Sequence, residues 1–212
     1  MYIPKALQVT DRDTLEAFIA QYSFATLVCA VEGRPFATHL PLLLDRRPPS
    51  RGFLVGHVAR ANPHWQAFDG QQECLAIFHG PHAYISPSWY ATTPAVPTWN
   101  YAAVHVYGVP RLIAEETEVA ALVDRLVQTY EAGMARPWSG ELPADYKAKL
   151  LQAIVGFEVE IERIEGKFKL GQGRSPEDQQ GVLEYLEASA DPQARALAAF
   201  TQKQGEADRQ IG

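Results

Sequence analysis

Short apolar runs separated by turn signals fill most of the first 110 residues, and they constrain the fold more than any other feature. Two of them, residues 24–32 and 35–44, are mostly apolar and are joined by Glu32-Gly33-Arg34, which is typical of a hairpin. Further strands are predicted at 53–58, 73–78, 82–86, 99–108 and 155–164. Many short strands with hairpin signals favour an antiparallel barrel over a sheet built from βαβ units.

Helical patterns flank and interrupt the strands. Apolar residues repeat at helical spacing from Leu15 to Tyr22, after Thr10 or Asp11, either of which can cap the helix. The other predicted helices are 119–130, 143–154, 176–188 and 192–203, and the predicted loops are 45–52 and 86–98. We therefore predict a β domain over 1–175, with inserted helices at about 116–153, followed by a helical extension over 176–212.

Composition excludes several classes of protein. Hydrophobic side chains make up 47% of the 212 residues, which is enough for a sizeable core, and the formal net charge of −6 disfavours a protein that coats nucleic acid. The chain has no apolar run of about 18 residues, so no membrane span is expected. Its first 13 residues lack the apolar core of a signal peptide, and we expect a cytoplasmic protein.

Common catalytic and metal-binding motifs are missing from the sequence. The chain contains none of the patterns GxGxxG, GxxxxGK[ST], GxSxG or HExxH. His79 and His82 flank Gly80-Pro81, which we interpret as a hairpin turn, and without further ligands no metal site is predicted. Cys29 and Cys74 fall in apolar strands, and they are expected to be inert buried thiols.

Residues 56–65, GHVARANPHW, form the first segment with possible chemistry. A strand ends at His57, and Arg60 comes directly before a helix capped by Asn62. Free backbone N–H groups, a helix dipole and a guanidinium together make an anion site that suits phosphate. The alternative is an ordinary strand–helix junction with a solvated arginine.

Aromatic and polar side chains concentrate in a second segment, residues 85–105, around a loop with three prolines. Its candidate ligand-binding residues are Ser86, Ser88, Trp89, Tyr90, Thr98, Trp99, Asn100 and Tyr101. Flat rings beside amide and hydroxyl groups suit a planar heteroaromatic ligand. The alternative is that these rings fill the core or a subunit interface.

A third segment, residues 163–175, is basic within an acidic chain. It carries four basic side chains against one acidic one, for a local charge of +3, and Gly171 and Gly173 would let backbone amides approach a ligand closely. It is either a grip for an anion or a flexible, solvated charge run after the last strand.

Several segments together resemble a known family. They are MYIPK (1–5), ATHLP (37–41), GHVARANPHW (56–65), GPHAYISPSWY (80–90), VPTWNYAAVHVYG (96–108) and GKFKLGQGRS (166–175). The chain is similar over these motifs to the PaiB family, described as FMN-binding negative transcriptional regulators. That family lies among the split-barrel flavoproteins related to pyridoxamine phosphate oxidase. The likeness runs from Met1 to about Ser175.

The resemblance implies a fold, an assembly and a site. The fold is a six-stranded antiparallel split barrel, the assembly is a homodimer, and FMN lies at the interface between the two subunits. Thr38 and His39 would lie nearest the isoalloxazine. The phosphate end would contact His57, Arg60 and Asn62. The ring would be flanked by Ser88, Trp99, Asn100 and Tyr101, and the partner chain would supply Lys169, Gln172 and Arg174.

Two departures from the family pattern stand out. Arg60 replaces a common lysine, and Gly171-Gln172-Gly173 replaces Ser-Gln-Asn, which removes a hydroxyl and an amide from the expected flavin contacts.

Two functions remain open from the sequence: a transcriptional regulator or flavin-dependent sensor, and a flavin-dependent oxidoreductase acting on an unidentified small substrate. No general base is evident, and the candidates are His39, His57 and His105. The family likeness allows DNA binding, but residues 175–212 carry seven acidic side chains against three basic ones. That charge does not support contact with phosphates, so the tail is expected to pack on the barrel or on its dimer mate.

Overall fold

A computed structural model describes the backbone of residues 1–47 and 50–211, and the side chains within 1–47 and 50–206. Its strands are β1 (Gln8–Val9), β2 (Phe24–Val31), β3 (Arg34–Pro41), β4 (Leu43–Asp45), β5 (Phe53–Ala59), β6 (Cys74–Ile85), β7 (Thr98–Leu112) and β8 (Ile154–Lys169). Its α-helices are α1 (Arg12–Gln21), α2 (Glu116–Glu131), α3 (Ala144–Gln152), α4 (Pro176–Glu187) and α5 (Pro192–Ile211). Short 3₁₀ helices span Lys5–Leu7, Pro63–Ala67 and Pro87–Trp89.

The strands form one mainly antiparallel sheet with helices beside it. Hydrogen bonds link its strands in the order β3-β2-β6-β7-β8-β5-β4, and the two-residue β1 pairs with β8. Within the described residues, this order holds seven strands rather than the six predicted, because the three-residue β4 pairs with β5. β3 and β4 stand at opposite ends of this order, although only Leu42 separates them along the chain.

The predicted hairpin between β2 and β3 is confirmed. Its strands pair from Phe24 opposite Pro41 to Val31 opposite Arg34, with a two-residue turn. Both turn residues have positive φ, 52° at Glu32 and 71° at Gly33, as the tightest hairpin turns require.

The break predicted between 73–78 and 82–86 is wrong, since β6 runs through both segments without a turn. Gly80 and Pro81 are both buried, so the alternation of buried residues shifts by one at this point, as it does at a β-bulge. A proline, which has no N–H to donate, is tolerated at such a position. His79 and His82 therefore lie on a strand.

Two other strand limits differ from the prediction. The run 35–44 divides at Leu42, whose N–H bonds the carbonyl of Ser23, so β3 pairs with β2 whereas β4 pairs with β5. The predicted end of the last strand at residue 164 is also wrong, because β8 continues to Lys169. The loop predicted at 45–52 contains Pro48 and Pro49, which lie outside the described residues.

The two cysteines form a disulfide, which corrects the expectation of free thiols. The register of β2 against β6 pairs Thr26 with Ile77 and Val28 with Leu75, which places Cys29 directly opposite Cys74. Their Cα atoms are 4.6 Å apart, which is within the range that a disulfide can bridge, and both side chains are buried.

The chain divides into two compact units. The terminal unit comprises Met1–Leu15, His79–Val104 and the chain from Glu165 onward, and the central unit comprises Glu16–Phe78 and His105–Ile164. In the terminal unit, a core shared by β6, α4 and α5 contains Ala83, Ile85, Val182, Leu186, Ala194, Leu197 and Ala198. In the central unit, α2 packs Leu122 and Leu126 against Val55 of β5. None of the described helices is long and apolar enough to cross a bilayer.

Candidate functional site

One face of the sheet in the terminal unit combines aromatic rings with lysines. Alternation along the strands puts His82 and Tyr84 of β6 on one face, and the same holds for alternate residues of β7 and β8. We call this surface the aromatic–basic face, and its members are His82, Tyr84, Trp99, Tyr101, Lys167 and Lys169. Ring contacts join His82 and Tyr84 to Trp99, and Lys167 contacts the ring of Tyr101.

Lys167 is the most unusual side chain of this face. It is 9% exposed, and its Nζ lies 5.3 Å from the centroid of the Tyr101 ring and 5.5 Å from that of Tyr2. Nζ also donates a hydrogen bond of 3.1 Å to the backbone carbonyl of Tyr2. No carboxylate of a described residue pairs with this ammonium group. A buried charge normally has a counter-charge, so its positive charge is available to an anion.

Lys169 stands two residues further along the same face. Its Nζ donates to the hydroxyl of Thr98 and forms no ion pair among the described residues. Two lysines at i and i+2 on one strand, both held by rings or a hydroxyl group, concentrate uncompensated positive charge at this end of β8.

Aromatic rings lie beside these lysines. Trp99 is 54% exposed, and its ring centroid is 6.1 Å from that of Tyr84, edge to face, and 6.3 Å from that of His82. His82 also contacts His79, with 5.0 Å between ring centroids. Exposed rings next to two cations can hold a ligand that is planar at one end and anionic at the other.

The remaining predicted residues of the terminal unit have local roles. Arg174 lies 4.1 Å above the ring of Tyr90, and its guanidinium is 3.9 Å from the carboxylate of Asp178. Hydrogen bonds from the hydroxyl and backbone N–H of Thr92 lower the pKa of Asp178. Thus Arg174 has partners that Lys167 and Lys169 lack.

Gln172, Asn100 and Ser88 complete this group. Gln172 accepts a hydrogen bond from the N–H of Leu170 and donates one to the carbonyl of Phe168, which fixes the turn after β8. Asn100 is buried on the opposite face of β7 from Trp99, beside Gly171. The hydroxyl of Ser88 bonds that of Ser86.

In the central unit, the predicted residues Thr38 and Asn62 form a hydrogen-bonded cluster with His64. The amide of Asn62 donates 3.1 Å to the hydroxyl of Thr38, which is also 2.8 Å from Nδ1 of His64. The side-chain oxygen of Asn62 accepts the N–H of His64 at 3.0 Å. The Thr38 hydroxyl therefore has two hydrogen-bond partners, the amide of Asn62 and Nδ1 of His64.

His64 was not singled out from the sequence, yet it is completely buried between Phe36 and Phe68. Its Nε2 has no hydrogen-bond partner among the described residues, and desolvation lowers its pKa. Burial also lowers the pKa of His57, whose Nδ1 is likewise without a partner there. Both imidazoles are therefore neutral at pH 7.

The side chain of Arg60 forms hydrogen bonds with the backbone at the start of β8. Its Nε donates 2.7 Å to the carbonyl of Gln152, and a terminal nitrogen donates 2.9 Å to that of Ile154. Its backbone N–H bonds the carbonyl of Ala153 at 2.8 Å. The helix after it is a five-residue 3₁₀ segment, and its cap Asn62 already takes the N–H of His64. The groups on which the predicted anion site depends are thus engaged in local structure.

His39 projects from the exposed side of β3 and pairs with the neighbouring strand. Its Nδ1 is 2.9 Å from the hydroxyl of Thr26, the residue directly opposite it on β2. Thr38 and His39 therefore point to opposite faces, and only Thr38 joins the cluster with Asn62 and His64.

Of the predicted residues, the structure thus places Trp99, Tyr101 and Lys169 on the aromatic–basic face, and Thr38 and Asn62 in one hydrogen-bonded cluster of the central unit. The other predicted residues join neither group. Sequence reasoning missed His64, His82 and Tyr84 as site residues, and it placed Lys167 in the basic segment but not among the flavin contacts. Strand alternation could have shown that His82 and Tyr84 share a face, but the turn predicted at Gly80-Pro81 concealed this. Within the described residues, no three side chains of His, Cys, Asp or Glu converge as a metal site requires.

Comparisons with known proteins agree with this description. A family model described as "Putative FMN-binding domain" matches residues 1–163. The chain is 38% identical over 200 residues to Protease synthase and sporulation protein PAI 2 of Bacillus subtilis, which covers 93% of this chain and 95% of that protein. This similarity confirms the resemblance to the PaiB family.

Solved structures share the fold at low sequence identity. The flavocytochrome Anf3 from Azotobacter vinelandii is 20% identical with a TM-score of 0.63, covering 84% of this chain and 78% of its own. An FAD- and heme-binding protein from Mycobacterium smegmatis is 16% identical with a TM-score of 0.59, covering 82% and 78%. The predicted split-barrel fold is confirmed.

Proposed function

The chain belongs to the FMN-binding domain family whose model it matches, and we propose that it is a homodimeric flavin-binding regulator with FMN on the aromatic–basic face. Flavin binding follows from family membership. The placement of FMN, the dimer and the regulatory role are the proposal, argued below from the described residues.

One observation carries the placement: Lys167 is a buried cation that pairs with no carboxylate of the described side chains. The phosphate of FMN is a compact anion. It would accept hydrogen bonds from the N–H groups of Lys167 and Lys169 that have no partner within the described protein. Arg60 offers less, because its guanidinium already donates to two backbone carbonyls.

The rings of the same face suit the other end of FMN. Trp99 presents a half-exposed surface on which a planar ring can stack, and Tyr84 supports the indole from its edge. When bound, FMN supplies a ring system that accepts and returns electrons. The protein's own contribution is to orient that ring and to exclude water from one side of it.

A homodimer would cover surfaces that a single chain leaves exposed. In the terminal unit, Tyr84, Val96 and Trp99 are exposed, and in the central unit Phe24 is exposed on β2. Large apolar side chains grouped on strands are typical of subunit interfaces, and the resemblance implies a homodimer with flavin between its subunits.

A regulatory role is supported by the relative from Bacillus subtilis, whose name links it to protease synthesis and sporulation. The chain's acidic tail does not favour DNA as its direct target. In the terminal unit, α4 and α5 bury their apolar faces in the core that they share with β6, so they do not form a separate helix pair of the kind that binds DNA. We therefore propose regulation through a change of state at the flavin, passed to another molecule.

The second candidate is a flavin-dependent oxidoreductase, and one observation favours it. His82 is a titratable group beside Trp99, where it could give or take a proton near a stacked ring. In that case its imidazole would be the acid–base group, which the sequence did not single out.

Two measurements on the purified protein test the proposal. Titration with FMN should quench flavin fluorescence at one FMN per chain, and the mass in solution should be that of a dimer. An anaerobic titration of the FMN-loaded protein with NADH and NADPH then separates the functions: no rapid bleaching supports a regulator, whereas rapid bleaching supports the oxidoreductase. A monomer, or the absence of quenching, would contradict the flavin site as proposed.

A further inference from the structure

A groove of about 450 Å³ lies in the central unit beside α2 and α3. It is lined by the end of α2, the segment that follows it and Lys147 of α3. Lys147 forms two contacts of 2.8 and 3.0 Å with the carboxylate of Asp124, which joins the two helices at one side of the groove. A hydrogen bond of 2.7 Å from the N–H of Trp138 to Glu131 fixes the opposite side.

Exposed apolar side chains surround this groove. Trp138 lines it and is 48% exposed, and Met134, which precedes it in the same segment, is 56% exposed. The helices on either side expose Tyr130 of α2, and Tyr146 and Leu150 of α3. Tryptophan, tyrosine and methionine are the residue types that protein interfaces favour, and no described part of the central unit covers these side chains.

The groove also has a negative potential. Its lining contains Asp124, Glu131 and Glu141 against one cation, Lys147, which Asp124 already neutralises. Arg136 lies in the same connecting segment but does not line the groove. The negative end of the α2 dipole points here as well, and the last turn of α2 has no basic residue to offset it.

We propose that this groove binds a segment of a partner protein that presents apolar side chains on one face and lysines or arginines beside them. The apolar face would pack on Trp138 and Met134. The cations would meet Glu131, Glu141 and the indole face, which attracts cations. The proposal does not depend on flavin binding, and it supplies a route by which an acidic protein can act on another protein.

Defined peptides test this proposal on the full-length protein. The probe is a fluorescein-labelled amphipathic helix of leucine and lysine, and the comparison peptide carries glutamate in place of lysine. We expect the lysine peptide to bind and the glutamate peptide not to bind. Trp138→Ala should weaken binding by about 10-fold or more, while Trp138→Phe should retain most of it.

Charge is tested separately with matched variants. The double variant Glu131→Gln, Glu141→Gln should weaken binding by about 3- to 10-fold, and its glutamine at 131 can still accept the N–H of Trp138. Glu177→Gln, Glu184→Gln on α4 changes the net charge equally and should have less than about a 2-fold effect. Equal losses in the two double variants would mean a general charge effect, and unchanged binding by Trp138→Ala would mean a different surface. Either result overturns the proposal, and so does the absence of binding by the lysine peptide. If Trp138→Ala converts a dimer into a monomer, the groove is a contact between two copies of this chain, which also overturns the proposal.

Discussion

The two units differ in how their candidate polar side chains are hydrogen-bonded and neutralised. In the terminal unit, Lys167 and Lys169 are held by aromatic rings, a carbonyl and a hydroxyl group, and no described carboxylate neutralises them. In the central unit, Thr38, Asn62 and His64 are hydrogen-bonded to one another, and Arg60 donates to backbone carbonyls. Both sets resembled parts of a flavin site at the level of sequence.

This difference separates binding groups from architectural groups. A cation that contacts rings keeps its charge and most of its N–H donors for a ligand, whereas a hydroxyl that already has two hydrogen-bond partners has little capacity left for a ligand. Substitutions in the central cluster should therefore change stability, and substitutions on the aromatic–basic face should change ligand affinity.

The largest expected effect is on stability, from Thr38→Val. The substitution keeps the shape of the side chain but leaves the amide of Asn62 and Nδ1 of His64 without their partner in a buried setting. The free energy of unfolding should fall by about 2–4 kcal/mol, as measured by urea denaturation. The FMN affinity of the folded protein should change by less than about 3-fold, since the hydroxyl is already engaged.

Thr26→Val is the matched control on the neighbouring strand. Its hydroxyl bonds His39 in an exposed pair, so its loss should cost less than about 1 kcal/mol. If Thr26→Val and Thr38→Val destabilise the protein equally, the cluster of Thr38, Asn62 and His64 contributes no more to stability than an exposed hydrogen bond does.

Lys167→Met should have the next largest effect, this time on binding. It removes the buried cation but keeps a long apolar side chain between the rings of Tyr2 and Tyr101. FMN affinity should fall by about 10- to 100-fold, measured by fluorescence quenching. Lys203→Met removes the same charge from the exposed surface of α5 and should leave the affinity within about 2-fold of the parent.

Arg60→Met should have a smaller effect, and on stability only. The loss of two hydrogen bonds to the carbonyls of Gln152 and Ile154 should lower the free energy of unfolding by about 1 kcal/mol, since the side chain is exposed. FMN affinity should be unchanged. If Arg60→Met weakens FMN binding more than 10-fold while Arg60→Lys retains it, Arg60 contacts the phosphate as the family resemblance implies.

The smallest expected effect is a pH dependence of stability. Burial lowers the pKa of His64 below its ordinary value of 6.5, so below that pH the unfolded chain takes up a proton that the folded chain does not. The free energy of unfolding should therefore fall as the pH falls, with up to about 0.7 kcal/mol lost between pH 7 and pH 6 from this group. Denaturation of His64→Gln over the same range should show a shallower slope, because only His57 then contributes in the same direction. An unchanged slope would contradict a neutral, buried His64.

Much of the fold was predictable because it depends on local patterns. The β2–β3 hairpin follows from Glu32-Gly33, and Asn62-Pro63 and Ser175-Pro176 both cap the helices predicted for them. Asp11, rather than Thr10, caps α1 by accepting hydrogen bonds from Thr14.

Long-range features could not be read from the sequence. The disulfide depends on β2 lying next to β6, two strands separated by 42 residues of chain between Val31 and Cys74, and periodicity does not report such pairing. The same holds for Arg60, whose partners are about 90 residues away. A motif can identify such a residue as a polar candidate for ligand binding. Only the tertiary structure shows whether its hydrogen-bonding groups are already bonded to other parts of the protein.

A comparison of FMN with riboflavin tests the central claim most directly, because the two ligands differ only in the phosphate. We expect the parent protein to bind FMN about 100-fold more tightly than riboflavin, and the Lys167→Met, Lys169→Met double variant to bind the two ligands within about 3-fold of each other. Arg60→Met should keep the full preference for FMN. A preference that survives in the double lysine variant but disappears in Arg60→Met would contradict the account.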